Sequence, residues 1–310
     1  MEVAATRALV GIDWGTTNRR AYRLDAADEC VAEHSDGEGI LTARGRFSES
    51  LDNVLAALDA EDVEVPVVMS GMVGSASGWF EAPYLELATP LDELAGHLVR
   101  LPHPKRSCFI VPGYRQRLGD AADVMRGEET QLLGAVAQGH RDGWFVLPGT
   151  HSKWVQLRDG RIAALTTYMT GELFDLLATH GTLAAASESS ATSAEAFAAG
   201  FRAQPHAALS NALFGCRARI VTSAMPAAHA RSFLSGVLIG AEWHDARRRG
   251  GGTLPPRVTI IGSPELTARY AIVADAMNVA VHVLDPRATY LAALKALRSQ
   301  CSRALASSSL

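Results

Sequence analysis

The sequence predicts an α/β protein of two domains, and three observations lead to this prediction. First, its 310 residues exceed the usual size of a single core. Second, short β-branched runs alternate with segments in which apolar residues repeat at helical spacing. Third, a strand, a turn of small residues and a second strand occur near residue 10 and again about 135 residues later, which suggests halves of related architecture. We therefore expect domains at residues 1–142 and 143–310, with a cleft between them.

The first domain is predicted to begin with a hairpin and to continue through further strands and helices. Its predicted elements are, in order, strands 9–13, 20–24 and 30–33, helix 47–58, strands 65–69 and 109–111, and helix 127–137. Residues 70–90 are rich in Gly, Ser and Pro yet carry large apolar side chains. This combination is typical of an ordered loop that serves a function.

The second domain is predicted to repeat the strand and turn pattern and then to become mostly helical. Its predicted elements are strands 144–147 and 153–157, helices within 183–230, helix 233–246, a basic surface loop at 247–256, strand 258–261, helix 264–277, strand 279–284 and helix 288–298. Pro264 at the first helical position supports one of these starts. We expect residues 304–310 to be frayed.

The composition excludes several classes of protein. Hydrophobic residues make up 48% and charged residues 20% of the chain, as in a globular protein with an ample core. The net charge of −4 argues against nucleic acid as the main partner. The sequence contains no run of 18 apolar residues, so we expect neither a membrane span nor export. The four cysteines lie far apart, which favours free thiols in the cytoplasm over zinc or disulfides. The oligomeric state stays open, with a homodimer as one possibility.

The clearest functional signal is the turn that follows the first strand. An apolar strand ends on Asp13 and turns through Gly15, Thr16, Thr17 and Asn18. A carboxylate at the end of a buried strand is costly unless it is paired, hydrogen-bonded or facing a cation. The small residues offer backbone N–H groups and hydroxyls, which suggests a phosphate cradle with Asp13 on the magnesium side. The chain has no Walker motif, and the alternative is an ordinary hairpin in which Asp13 caps the turn.

Two later segments offer similar chemistry. The strand at 144–147 breaks at a second turn of small residues, 148–152, and the strand at 258–261 ends on Gly262 and Ser263 immediately before a helix. Donors on two sides of a polyphosphate and a floor of small residues for adenosine are what a nucleotide requires. We therefore interpret these segments as further parts of a nucleotide site.

These motifs resemble those of the actin-like ATPase and sugar kinase superfamily. The segments 13–18, 147–153 and 260–266 occur in the order found there, and 235–242 is similar to the inter-domain helix of that superfamily. Within it, the segments 69–84, 111–113 and 123–131 resemble the 2-dehydro-3-deoxygalactonokinase family. The resemblance covers about residues 8–298. Ala76 departs from the family pattern, where a longer side chain is expected, so a substrate contact at that position is in doubt.

The resemblance implies a fold of two actin-like ATPase (ribonuclease H-like) domains that bind ATP and Mg²⁺. Asp13 would hold the metal through water. The residues implied to bind the nucleotide are Gly15, Thr16, Thr17, Asn18, Gly149, Thr150, His151, Ser152, Lys153, Gly262, Ser263 and Leu266. For Lys153 the alternative is a solvated strand residue.

A sugar hydroxyl that attacks a phosphoryl group needs a nearby carboxylate as base. Asp123, Glu128 and Glu129 are the candidates. In related kinases the base is an acid just inside a helix, which favours Glu128, followed by Asp123. The alternative is that the two glutamates only favour the helix dipole and that Asp123 only caps a turn.

Recognition of a keto acid requires arginine or several N–H and hydroxyl donors, preferably in a bidentate arrangement. Trp79 and Tyr84 could also line the sugar-acid chain, although an aromatic side chain in a loop more often packs against its own domain. The candidate substrate-binding residues are Arg20, Ser70, Gly71, Met72, Gly74, Ser75, Trp79, Tyr84 and Arg126.

The resemblance implies phosphorylation of 2-dehydro-3-deoxy-D-galactonate to its 6-phosphate in galactonate breakdown. The main alternative is a kinase for another keto-deoxy sugar acid, such as 2-dehydro-3-deoxygluconate, or for another small sugar. A non-enzymatic ATP-binding assembly protein and an ATP-sensing regulator are further alternatives, but the sequence contains neither an evident peptide-binding domain nor a helix-turn-helix.

Overall fold

A computed structural model describes residues 8–119, 121–180, 183, 191–203 and 207–307. The chain divides into two compact units. Unit 1 comprises Met1–Gly143, Val155–Leu165 and Leu284–Leu310, and unit 2 comprises Trp144–Trp154 and Thr166–Val283. In the part of the chain that the structure describes, no helix combines the length and the apolar character needed to cross a membrane.

The strands and helices are numbered in chain order. The strands are β1 (Leu9–Trp14), β2 (Arg19–Leu24), β3 (Cys30–Asp36), β4 (Val67–Gly71), β5 (Tyr84–Glu86), β6 (Val99–Leu101), β7 (Cys108–Ile110), β8 (Gly113–Leu118), β9 (Ala121–Met125), β10 (Gly143–Leu147), β11 (Ser152–Arg158), β12 (Arg161–Tyr168), β13 (Arg257–Ile261) and β14 (Ala280–Leu284). The helices are α1 (Ile40–Ala43), α2 (Phe47–Ala57), α3 (Glu128–Ala137), α4 (Thr170–Thr179), α5 (Ala194–Ala203), α6 (Leu209–Val221), α7 (Ala230–Arg249), α8 (Pro264–Ala276) and α9 (Pro286–Ser307).

The main sheet of unit 1 has the strand order β3-β2-β1-β4-β7-β6. Strand β1 pairs antiparallel with β2 and parallel with β4, and in the second pairing Asp13 is opposite Ser70. Apolar residues of β1 and β4 are fully buried, and α2 contributes Leu51 and Leu55 to the same core. The parallel β1–β4 pair therefore brings the carboxyl ends of two buried strands to one edge of the sheet.

A second sheet of unit 1 has the order β5-β8-β9, and its last strand leads into α3. Helix α3 packs against the C-terminal helix α9. Gly134 makes this approach possible, because a Cβ atom there would overlap the carbonyl oxygen of Thr289. The end of the chain thus supports the helix that follows the second sheet.

The remaining sheet has the order β12-β11-β10-β13-β14, and β10 and β13 are parallel. In unit 2, Trp154, Trp243, Ile260 and Tyr270 belong to one buried core. Helix α7 crosses this unit and packs closely on α5 at Gly236. The absence of a Cβ atom at Gly236 allows this approach, because a Cβ there would overlap the carbonyl oxygen of Phe197.

Each strand and helix predicted from sequence has a counterpart in the structure, but α1, β5, β6, β8, β9, β12 and α4 were not predicted. Strand β8 reads Gly-Tyr-Arg-Gln-Arg-Leu, which lacks an apolar run, whereas the apolar spacing within α4 was a usable signal. The prediction of a loop at 247–256 is wrong at its start, because α7 continues through Arg249. The predicted fraying from residue 304 is also wrong as far as Ser307, where α9 ends, and residues 308–310 lie outside the described part.

We expect Gly134→Ala to destabilise the protein, because the added methyl group would separate α3 from α9. The free energy of unfolding, measured by chemical denaturation, should fall by about 3 kcal/mol, which is typical of overpacking in a well-packed interface. Gly215→Ala is the matched control: Gly215 lies inside α6, and the space that its added methyl group would enter is open to 4 Å, so this change should be neutral or slightly stabilising. Equal stability of the two variants would contradict the role of Gly134.

Candidate active site

The end of β1 places a carboxylate beside a single arginine. The Oδ2 atom of Asp13 lies 3.6 Å from Nη1 of Arg20, and the Asp13 side chain is 27% exposed. Burial raises the pKa of Asp13 to about 6, Arg20 opposes this shift, and the Glu128 carboxylate adds to it. The negative charge of Asp13 is therefore only partly balanced by Arg20, and a ligand or cation can still reach the carboxylate.

The turn after β1 is closed by its own backbone. The N–H of Gly15 donates to the carbonyl of Asn18 at 2.9 Å, and the side chains of Thr17 and Asn18 are exposed. The carbonyl of Gly15 accepts a hydrogen bond from Ile40, which fixes one side of the turn on α1. Because a backbone hydrogen bond closes the turn, Asp13 is not required to cap it. The side chains of Thr17 and Asn18 are exposed on a turn whose backbone is held in place.

Two glycines let three backbone segments meet at this edge. Gly71, at the end of β4, has φ +88°, and a Cβ there would lie 2.8 Å from the carbonyl oxygen of Trp14. Gly127, immediately before α3, has φ +111°, and a Cβ there would lie 3.2 Å from the Cα of Gly71. Both values belong to a backbone region that favours glycine. The start of α3 is thereby held close to the end of β1, which accounts for the electrostatic effect of Glu128 on Asp13.

The first turn of α3 carries two glutamates in different environments. Glu128 is partly exposed and accepts a hydrogen bond from the N–H of Arg126 at 3.2 Å. Glu129 is fully buried and accepts from the N–H of Gly127 at 2.7 Å and from the Thr130 hydroxyl at 3.3 Å. Burial, with a further contribution from Glu128, raises the pKa of Glu129 to about 8. Near neutral pH, Glu129 is therefore mostly protonated, and Glu128 is the more accessible acid.

Asp123 lies farther back along the chain, on the hairpin formed by β8 and β9. It pairs in register with Gln116, and its carboxylate accepts a hydrogen bond from the N–H of Val124 at 2.8 Å. Its role as a second candidate base stays a prediction.

Arg126 has a buried guanidinium group with unused donors. The side chain is 8% exposed, Nη2 donates to the carbonyl of Ala82 at 2.6 Å, and the guanidinium carbon lies 4.2 Å from the centroid of the Tyr84 ring. Gly74 leaves room beside Nη1, where a Cβ would come within 2.9 Å. Among the described residues, Nε and Nη1 of Arg126 have no hydrogen-bond partner. Buried donors without a partner are rare in proteins, and a guanidinium group with such donors can bind an anion.

Three other candidate substrate-binding side chains make internal contacts. The fully buried Ser70 shares a hydrogen bond with Tyr290, and Ser75 donates to the carbonyl of Met72 at 2.7 Å. Trp79 stacks on Phe47 with a centroid distance of 5.9 Å, within the aromatic cluster of unit 1. The roles of Ser70, Ser75 and Trp79 in substrate binding stay predictions, whereas their structural contacts are clear.

In unit 2, the turn after β10 and the start of α8 lie side by side. A Cβ at Gly262 would lie 3.1 Å from Cδ of Pro148, and the two parallel strands β10 and β13 end at this place. Ser263 caps α8, since its hydroxyl oxygen accepts a hydrogen bond from the N–H of Leu266 at 3.4 Å. Carboxyl ends of adjacent parallel strands are the usual place for ligands in α/β sheets. The structure thus brings together two predicted nucleotide segments of this unit.

Helix α4, absent from the sequence-based prediction, begins against the same turn. The N–H of Glu172 donates to the carbonyl of Thr150 at 2.9 Å, and the Glu172 carboxylate is hydrogen-bonded to the His151 ring. Lys153 is 4% exposed, and its ammonium group donates to the His151 carbonyl at 2.7 Å. Lys153 therefore supports the turn from inside, and the alternative of a solvated lysine is wrong.

Glu242 of α7 is a buried acid that sequence analysis did not assign to the site. Its carboxylate accepts hydrogen bonds from Ser152, Trp154, Thr170 and Tyr270 at 2.5–2.8 Å. Burial raises the pKa of Glu242, and the donors oppose this. The Ser152 hydroxyl is thus engaged with Glu242, and its predicted contact with phosphate stays untested. An acid within the largely apolar segment 233–243 of α7 was the signal that could have identified this residue.

A divalent cation would find few protein ligands in the described part of this chain. Within the described ranges, no group of three or more His, Cys, Asp or Glu side chains could hold a metal ion. Mg²⁺, however, is commonly bound through one or two carboxylates together with phosphate oxygens and water. The part-buried Asp13 fits that pattern.

Comparison with solved structures identifies the fold of this chain. A ligand-bound xylulose kinase from Lactobacillus acidophilus superposes with a TM-score of 0.51, covering 96% of this chain and 90% of the other, at 10% sequence identity. At that identity the likeness concerns the fold alone. The predicted α/β fold, which this chain shares with the xylulose kinase, is thereby confirmed.

The family model for 2-keto-3-deoxy-galactonokinase matches residues 13–297, and the chain belongs to this family. The 2-dehydro-3-deoxygalactonokinase of Escherichia coli (strain K12) is 36% identical over 295 residues, which cover 94% of this chain and 98% of the relative. A crystal structure from Sinorhizobium meliloti, assigned as a 2-dehydro-3-deoxygalactonokinase, has a TM-score of 0.86 at 37% identity and covers 93% of this chain and 95% of its own. The predicted family is confirmed, and membership in a kinase family implies the use of ATP.

We expect Glu129→Gln to change how stability depends on pH. An acid whose pKa is raised on folding, here from an ordinary 4.5 to about 8, stabilises the fold fully below pH 4.5. That contribution is lost as pH rises through 8. Chemical denaturation between pH 5 and 9 should therefore show a decline in the native protein that is smaller in Glu129→Gln.

The exposed Glu86, with 55% of its side chain accessible, provides the control variant Glu86→Gln, which should retain the native pH dependence. An identical decline in Glu129→Gln and the native protein would contradict the protonation of Glu129.

Proposed function

We propose that this chain transfers the γ-phosphoryl group of ATP to the terminal hydroxyl of 2-dehydro-3-deoxygalactonate and so forms the 6-phosphate. Family membership supports the reaction type and the substrate. The observation that carries the proposal is the pair of electrostatically coupled acids, Asp13 at the end of β1 and Glu128 at the start of α3. Phosphoryl transfer needs a cation site and an acceptor for the hydroxyl proton, and these two acids can serve those roles.

Asp13 is the residue that would hold Mg²⁺, through water, alongside the phosphates. The metal, when bound, neutralises charge on the phosphate oxygens. Burial raises the pKa of Asp13 and Arg20 offsets this only in part, whereas a bound cation would favour the ionised carboxylate. Arg20, at 3.6 Å, supplies only partial compensation.

Glu128 is the proposed general base. The hydroxyl oxygen of the sugar acid attacks the γ-phosphorus, the bond between that phosphorus and the β–γ bridging oxygen breaks, and the hydroxyl proton passes to the Glu128 carboxylate. ADP leaves with the bridging oxygen. Glu128 suits this role better than Glu129, since Glu129 is buried and mostly protonated near neutral pH.

The polar turns of unit 1 and of unit 2 are each proposed to offer donors to a nucleotide. In unit 1, the exposed hydroxyl and amide side chains of Thr17 and Asn18 would bind the transferred phosphoryl group. In unit 2, Gly149 and Thr150 would bind the phosphate chain, and Gly262 and Ser263 would form the floor for adenosine. The short distance between Pro148 and Gly262 supports joint use of the last two segments.

Arg126 is proposed to bind the carboxylate of the sugar acid through Nη1, which has no partner among the described residues, and through the second N–H of Nη2. These two nitrogens form the end of the guanidinium fork and can bind both oxygens of one carboxylate. The guanidinium is held in orientation by Ala82 and Tyr84. Nη1 is covered in the structure, so neighbouring groups have to shift for the carboxylate to enter.

The function is tested by measuring ADP formation with ATP, Mg²⁺ and a panel of keto-deoxy sugar acids. We expect turnover only in the presence of a sugar acid, with the galactonate epimer preferred.

Asp13→Asn should abolish turnover, and Glu128→Gln should lower kcat by about 10²- to 10⁴-fold, the usual contribution of a general base. Glu86→Gln should retain native kcat, and circular dichroism should confirm that all variants fold. Preference for the gluconate epimer would overturn the proposed substrate, and sugar-independent ATP hydrolysis would overturn the kinase reaction.

Arg126→Lys tests the carboxylate site, because lysine keeps the charge but loses the bidentate geometry. The KM for the sugar acid should rise by about 10- to 100-fold, the cost expected for losing a charge-assisted hydrogen bond of about 1.5–3 kcal/mol, while the KM for ATP stays unchanged. Arg115→Lys is the control, since Arg115 lies on β8 in a surface pair with Glu86. An unchanged KM for the sugar acid in Arg126→Lys would refute this assignment.

A further inference from the structure

Tyr290 of α9 lies behind the candidate site, far from it in sequence. Its side chain is 2% exposed, and its hydroxyl is 3.0 Å from the hydroxyl of the fully buried Ser70. Its ring packs against Tyr22 with a centroid distance of 5.4 Å. Ser70 is opposite Asp13 in the β1–β4 pairing and directly precedes Gly71. Tyr290 thus contacts the strand end on which the geometry of the acids depends.

The position of Tyr290 is fixed by neighbouring contacts of α9 on both sides. Thr289 packs against Gly134 of α3, and Leu294 packs against Gly11 of β1. Helix α9 therefore contacts both elements that carry the candidate acids. The hydrogen bond between the Tyr290 and Ser70 hydroxyls connects α9 to the end of β4 as well.

We propose that Tyr290 is a positioning residue, whose hydroxyl holds Ser70 and Gly71 so that Asp13 and Glu128 keep their separation. This inference rests on the proposed function. Gly71 lies close to Trp14, next to Asp13, and to Gly127, next to Glu128. A displacement of the β4 end would therefore displace both Asp13 and Glu128. Tyr290 itself touches neither nucleotide nor sugar acid in this proposal.

The hydrogen bond, rather than the ring alone, carries the effect. Both hydroxyls are buried, so removal of one leaves the other without its partner. Burial and the nearby Asp13 carboxylate raise the pKa of Tyr290, which keeps its hydroxyl protonated and able to donate. Phenylalanine at this position preserves the packing on Tyr22 and removes only the hydroxyl.

The test compares Tyr290→Phe, Ser70→Ala and the double variant. Small displacements of catalytic groups can cost up to about 100-fold in rate, so we expect Tyr290→Phe to lower kcat by about 10-fold or more, with the KM for ATP unchanged. The double variant should be no slower than the slower single variant, because both changes break one interaction. Tyr168→Phe is the control: it removes a tyrosine hydrogen bond to Asp245, at 2.9 Å, in unit 2 and should retain native kcat.

A second measurement is independent of activity. Amide hydrogen exchange at residues 70–72 should be faster in Tyr290→Phe than in the native protein and in Tyr168→Phe. A kcat within twofold of native, or multiplicative effects of Tyr290→Phe and Ser70→Ala, would overturn the inference. If no sugar acid is phosphorylated by the native protein, the proposed function fails, and unchanged exchange at 70–72 would then separately refute the positioning role.

Discussion

The meeting of three backbone segments at Gly71 is the constraint on which the candidate site in unit 1 depends. A side chain at Gly71 would collide with the Trp14 carbonyl, and one at Gly127 would press on Gly71 itself. Because both positions lack a Cβ atom, the start of α3 reaches the end of β1. Without this approach, the Glu128 carboxylate would be too distant to influence Asp13, and the two acids could not act on one reacting group.

Glu242, Glu129 and Asp13 differ in how many donors or cations stabilise their carboxylates, and this difference separates their roles. Glu242 accepts hydrogen bonds from four side chains and forms part of the framework of unit 2. Glu129 accepts two and stays mostly protonated near neutral pH. Asp13 has one arginine at 3.6 Å and partial exposure. Carboxylates whose pKa is shifted and whose charge is only partly balanced are typical of functional sites. Carboxylates whose hydrogen bonds are fully satisfied instead stabilise the structure.

Much of the fold and part of the site could be predicted because the signals are local. The apolar run of β1 ending on Asp13, the small-residue turn after β10, and the Ser263 cap before α8 are each specified within a few consecutive residues. Strand β8 was not predictable in this way, since its Arg115 acquires its partner, Glu86, only when β8 pairs with β5. The contacts of Ser152 with Glu242 and of Ser70 with Tyr290 span 90 and 220 residues, so no local pattern indicates them.

The sequence by itself determined the α/β class, the family, and the two polar turns with Asp13 at the end of a buried strand. These properties depend on residue type, periodicity and short motifs, which are present in the unfolded chain. Only the tertiary structure decided that Glu129 is buried, that Lys153 supports its turn from inside, and that two nitrogens of Arg126 lack a partner among the described residues. Burial and hydrogen-bond satisfaction depend on which distant segments pack together, and that information exists only once the chain has folded.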